Sequence, residues 1–199
     1  MSAFRWRVSL FLLFSIAVVS CLLAQQKPPA LTLAKLGFIN ERVEEQITIS
    51  VDYCWHNGYH HWMMGMLFFL IEIDPKNTER YSTLGWILSS NGRHSEAVKV
   101  YERNMKENPG LSDAFYDAAY HFYQRKDYAQ AVKYAEMAAS KPGAEGVVFR
   151  LLAHSYERTN QFAKALAAWE RLLKIAPNDG AAQGNMKRIR EKMQRSQKP

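Results

Sequence analysis

The sequence predicts an all-α chain, a right-handed α-solenoid of stacked antiparallel helix pairs with a C-terminal capping helix. Three observations predict it. Alanines recur at one constant interval, at Ala97, Ala131 and Ala165, inside the similar strings SEAVKVYER, AQAVKYAEM and AKALAAWER. Prolines mark the same interval at Pro75, Pro109 and Pro177, with Pro142 one place early in its own unit. Between these marks apolar residues fall three and four apart over stretches of about a dozen residues, the period of an amphipathic helix.

Composition and charge fit such a chain. At 199 residues, 48% apolar and 23% charged, it is a folded protein of one domain or of several small units, and ten Gly with seven Pro exclude a collagenous chain. Two cysteines leave no disulfide framework and no CxxC pair for a four-cysteine zinc site. The net charge of +7 sits at the ends. Residues 1–30 carry Arg5, Arg7 and Lys27, and residues 187–199 carry six basic side chains against Glu191. Residues 31–186 hold 17 basic and 18 acidic side chains. That division excludes a broad basic face, and no nucleic-acid partner is expected.

The first element is a leader at 1–30. Two arginines precede a charge-free run from Val8 to Ala24, followed by a polar, proline-containing break, the pattern of a signal peptide or a signal anchor. The run is at the short end of what spans a bilayer, so cleavage near Ala24 and retention as a membrane tether through residues 8–24 both stay open. Val18-Val19-Ser20-Cys21 also resembles a bacterial lipobox, which would make the mature chain a lipoprotein on Cys21. In each case the positive flank stays inside and the body is secreted, periplasmic or membrane-anchored outside the cytoplasm, a bacterial cell envelope being favoured.

With residue 78 as position 1, one register spans the body. Tyr81, Leu84, Gly85, Ala97, Tyr101 and Pro109 take positions 4, 7, 8, 20, 24 and 32. Phe115, Ala118, Ala119, Ala131 and Ala135 follow in the next unit; Phe149, Leu152, Ala153, Ala165, Trp169 and Pro177 follow in the one after. A weaker unit at 44–77 has Ile47, Val51, Met63, Leu67 and Pro75. This pattern resembles the tetratricopeptide repeat over roughly residues 44–179, with units 44–77, 78–111, 112–145 and 146–179. The resemblance implies two helices per unit and small residues at 8 and 20 where they cross. Turns are expected at Asn57-Gly58, Asn91-Gly92, Lys126-Asp127 and Asn160-Gln161. The segment 180–199 reads as a capping helix with Met186, Ile189 and Met193 inward and a basic face that is either solvated or a site for an anionic partner, followed by a tail.

The first unit departs from the pattern. Met63 replaces a small residue, and Trp62 to Ile71 carries no charge, so that helix needs cover on every side. Met64 and Phe68 are expected to face outward, and Leu31, Leu33, Leu36, Phe38 and Ile39 of an N-terminal cover segment, 31–43, to fold back over them. A dimer contact or a seat at the membrane surface is the alternative, and the oligomeric state is open.

No catalytic motif is present: there is no GxSxG, no Gly-rich phosphate loop, no HExxH, and no enzyme activity or cofactor is expected. Asp52, Cys54, His56, His60 and His61 cluster around one turn, where a metal could take three of them. The same residues also read as an Asp52–His56 surface pair beside an aromatic turn. His94, His121 and His154 read as isolated. The resemblance implies that positions 2, 5, 9, 12 and 13 of each first helix line a concave groove. Here these include Asp52, Trp55 and His56; Ser82, Trp86 and Ser89; Tyr116, Tyr120 and Tyr123; and Arg150, His154 and Arg158. Large rings dominate, suited to anchoring a protein or peptide partner. The Lys and Asn pattern of carboxylate-clamp members is missing, though Arg150 and Arg158 could meet one acidic group. The sequence therefore reads as a protein-interaction scaffold. The alternatives are a metal-binding or enzyme-associated subunit built on His56, His60 and His61, and a self-assembly module built on the apolar first unit.

Overall fold

The computed structural model describes the backbone of residues 30–196 and the side chains of residues 37–195. The leader, with its run at 8–24 and Cys21, lies outside the described residues. The chain divides into two compact units, Met1–Gln46 and Ile47–Pro199. Helix α1 (Ala30–His56) contributes residues to both.

In the first unit, Phe38 and Ile39 are 58% and 52% exposed. Arg42 pairs with Glu45 at 2.9 Å and lies over the Phe38 ring. Phe38 and Ile39 belong to a continuous helix with no turn before residue 44, because nothing between Ala30 and His56 breaks it. The side chains of Leu31, Leu33 and Leu36 lie outside the described ones.

The second unit holds the end of α1 and then α2 (His60–Ile73), α3 (Thr78–Ser90), α4 (His94–Glu107), α5 (Ser112–Gln124), α6 (Tyr128–Ala139), α7 (Gly146–Arg158), α8 (Phe162–Ile175) and α9 (Gly180–Ser196). No strand occurs among the described residues. The helix starts repeat with the sequence: α3, α5, α7 and α9 begin one repeat apart, at Thr78, Ser112, Gly146 and Gly180, and α2, α4, α6 and α8 keep the same interval. Met63 keeps its register and is 2% exposed, its unbranched side chain fitting where its counterparts are alanines. Met64 is corrected: it is buried, with Arg93 Nη1 3.4 Å from its sulfur, because the next pair covers that position. Phe68 is 40% exposed.

The turns within pairs share one device. Gly58, Gly92, Lys126 and Asn160 occupy the same repeat position, all with φ between 58° and 77°. The flanking amides reach back to the helix end, as in Gly92 N to Ser89 O at 3.0 Å and Arg93 N to Leu88 O at 2.8 Å, a Schellman closure that sends the chain back antiparallel. The helix crossing is set by small side chains. Gly85, Ala119 and Ala153 on the first helices and Ala97, Ala131 and Ala165 on the second are all buried. Tyr81, Leu84, Phe115, Phe149 and Trp169 fill the space between pairs. At Gly85 a Cβ would run into the ring of Tyr101, whose hydroxyl would stand 2.8 Å away. Apolar packing forms two clusters, one from Cys54 to Ala118 and one from Ala114 to Ile189, and Met105 and Tyr134 pack against both. Ala182, Met186 and Ile189 of α9 close the second.

Candidate functional site

The first helices of successive pairs stand side by side: α3 touches α5, and α5 touches α7. Their shared face carries the sequence-predicted rings. Trp55, Trp86 and Tyr120 are 44%, 48% and 42% exposed, while Tyr116 and Tyr123 are half-buried. The Trp55 and Trp86 rings lie 5.4 Å apart, and Tyr116 stacks on Tyr120 at 6.1 Å. An edge-to-face or offset arrangement of this kind holds rings in place while leaving area for a partner.

Ser82 donates a hydrogen bond to the Asp117 carboxylate, which joins α3 to α5. Burial pushes Asp117 up to about 6, and the Ser82 bond opposes the shift. Behind Trp86 and Tyr120 lies a cavity of about 300 Å³, also lined by Ser89, His94, Tyr101 and His121. His94 and His121 do not stand apart as the sequence suggested. Their rings are 5.9 Å from each other, and His121 is 5.6 Å from Tyr101. His121 is 5% exposed, and burial, followed by His94 and Arg125, lowers its pKa. Its place was legible in part, since it follows Ala114 and Ala118 at helical spacing and both are buried.

Toward the C-terminal end the face turns polar. Arg150 bonds Asp179 at 2.7 Å, so it is paired within the fold. His154 is half-buried with its ring against Trp169 at 4.9 Å, and burial lowers its pKa. A second cavity, of about 550 Å³, is lined by Tyr123, His154, Glu157, Arg158, Arg188 and Lys192 among others. Arg188 grips Glu157 with both guanidinium arms, one at 2.8 Å, and holds that carboxyl below its usual range. The sequence left the basic face of α9 either solvated or open to an anionic partner. In the structure Arg188 and Lys192 fall at positions 9 and 13 of the register continued from Gly180, and so extend the inner row by one helix.

The histidine turn does not assemble a metal centre. His56 Nδ1 lies 2.9 Å from the Asp52 carbonyl and 3.5 Å from its carboxylate. His60 stacks on Trp55 and His61 meets Trp62 edge-on. Among the described residues no three His, Cys, Asp or Glu side chains come together as metal ligands. No described helix is long and apolar enough to cross a membrane.

Comparison with known families agrees with the helix geometry. Models described as tetratricopeptide repeat match residues 82–145 and 147–179. These segments are tetratricopeptide repeats. The Cytochrome c-type biogenesis protein CycH of Pseudomonas aeruginosa is 26% identical over 130 residues, which is 62% of this chain and 32% of that protein. The chain thus spans about a third of the length of that relative. Among solved structures, MamA is similar with a TM-score of 0.62 at 16% identity, over 74% of this chain and 81% of that one. YrrB, described as a TPR protein with an unusual peptide-binding site, gives a TM-score of 0.52 at 21% identity, over 60% and 62%. These two likenesses show that the tetratricopeptide solenoid is the fold.

Proposed function

We propose that the chain is a protein-interaction scaffold that makes and breaks no bonds, and that it takes a partner's segment across the inner face of its repeats. The observation that carries this reading is the exposed row Trp55, Trp86 and Tyr120, held on helices that are otherwise packed. Such rings bring large apolar area and a hydrogen-bonding edge with little rotamer entropy to lose. Beside them Tyr116, Tyr123 and the Ser82–Asp117 pair supply polar contacts. The peptide-binding site named for YrrB supports the use of this fold for short segments. The leader's positive flank and apolar run support a location outside the cytoplasm in a bacterial envelope, with the tether at residues 8–24 if it is uncleaved. A crosslinking pull-down from the envelope fraction tests the reading. Trp86→Ala and Tyr120→Ala each deplete the proteins recovered with the parent, and equal recovery by both variants overturns the groove.

A second reading is favoured by one observation. Trp62 and Phe69 are 70% and 49% exposed on α2, and the sequence has Glu96 and Arg103 at the same positions one repeat later. Self-assembly through this face predicts a mass in light scattering that rises with concentration and stays constant in Trp62→Glu with Phe69→Arg.

A further inference from the structure

The cationic cavity at the C-terminal end repeats its own construction. Arg158 stands over the Tyr128 ring at 5.6 Å, and Lys192 stands over the Phe162 ring at 4.7 Å. The two cations are one full repeat apart in the chain, and so are the two rings. Each cation is therefore at position 13 of an inner helix, seated on the first residue of the outer helix of the preceding pair. The aromatic seat fixes the side chain and leaves its charged end toward the cavity. Arg158 and Lys192 make no ion pair among the described residues, whereas neighbouring Arg188 and Arg150 are paired with Glu157 and Asp179. Glu157, the cavity's one acidic lining residue, is thus already neutralised by Arg188. Arg158 also bonds Tyr123, and both cations lie in the field of Glu157, but neither is within ion-pair distance of a carboxylate among the described residues, and both face a space large enough for more than one side chain.

We propose that this cavity is a subsite for acidic residues of the partner segment, and that Arg158 and Lys192 receive two Asp or Glu side chains. The inference rests on the inner-face reading above and gives the partner a chemistry and a direction: apolar residues over Trp55, Trp86 and Tyr120, and acidic residues over α7 and α9. The spacing follows from the repeat. Neighbouring helix axes lie roughly 8–10 Å apart, and a partner segment in the polyproline II conformation covers that in about three residues with its side chain back on the same face, so the acidic pair is three positions apart. This is not the clamp that the sequence lacks, because its cations come from position 13 of the last inner helix and of the capping helix.

The test uses the full chain in mild detergent, panned against a random peptide library displayed on phage. The parent is expected to enrich peptides with an acidic pair at three-residue spacing next to an apolar stretch. For synthetic copies of those peptides, Arg158→Gln with Lys192→Gln weakens binding about tenfold or more, and added salt does the same. Circular dichroism of the double variant should match the parent, since Gln keeps a stem on each ring. Peptides lost in Trp86→Ala but neither acidic nor sensitive to the double variant overturn the subsite and leave the groove standing. Peptides insensitive to Trp86→Ala overturn the groove itself. Displacement of the acidic peptides by inorganic phosphate at matched ionic strength overturns the assignment to peptide carboxylates.

Discussion

Gly85 shows how one missing side chain sets the distance between two helices. A methyl group there would press on the ring of Tyr101, which is itself buried between pairs. Gly85→Ala is expected to cost about 1–3 kcal/mol despite alanine's better helix propensity, and chemical denaturation measures it. Lys126 poses the opposite case. It holds φ at 63° in a turn where Gly58 and Gly92 serve the equivalent pairs, so Lys126→Gly should gain about 0.5 kcal/mol in the same assay. Asp117 gives a pH signature. Its carboxyl, raised by burial to about 6, binds a proton more readily folded than unfolded, so its contribution to stability falls as pH rises from about 4 to 6. Asp117→Asn keeps the partner for Ser82 and should be more stable than the parent by about 1–2 kcal/mol at pH 8. The difference should vanish below pH about 4. The repeat's small residues were legible because the same requirement recurs in every unit at the same position. Asp117 was not, because a lone carboxylate on an amphipathic helix reads as surface until the neighbouring helix is in place.

At the scale of the element, helix α2 is the exception. Its inward side obeys the repeat, with Met63, Leu67, Leu70 and Ile71 buried, whereas Trp62, Phe68 and Phe69 remain on its outward side. The following outer helices carry Glu96, Glu102 and Arg103 at those positions, then Gln130, Glu136 and Met137. Replacing Trp62 with Glu and Phe69 with Arg should therefore change stability by no more than about 0.5 kcal/mol in thermal melts; a loss above about 2 kcal/mol would mean that these rings support the fold. The charge-free run made α2's apolar character visible in the sequence, but not its cover: the cover depends on contacts between chain segments far apart, which no local pattern encodes. Helix α9 was legible as a cap, but the alignment of its cations was not. Its basic residues look like a solvated face on one helical wheel, and only the register carried on from Gly146 to Gly180 aligns Arg188 with His154 and Lys192 with Arg158.

For the whole second unit, stability is passed from pair to pair. The two apolar clusters meet at Met105 and Tyr134, and Ala182, Met186 and Ile189 shield Trp169 and Leu172 at the far end. A chain ending after residue 179 should lose that shield, melt several degrees lower and associate through α8, as scattering during a melt would show. The same regular stacking aligns Trp55, Trp86, Tyr120, Arg158 and Lys192 along one face, so the proposed docking surface belongs to the array rather than to any single repeat. The most direct measurement of that claim is photocrosslinking in living cells from a benzophenone side chain at position 86 or 120, compared with one at the outer-helix positions 99 and 133. The account predicts one shared partner band from 86 and 120 and none from 99 or 133; a partner captured equally from the outer positions would contradict it.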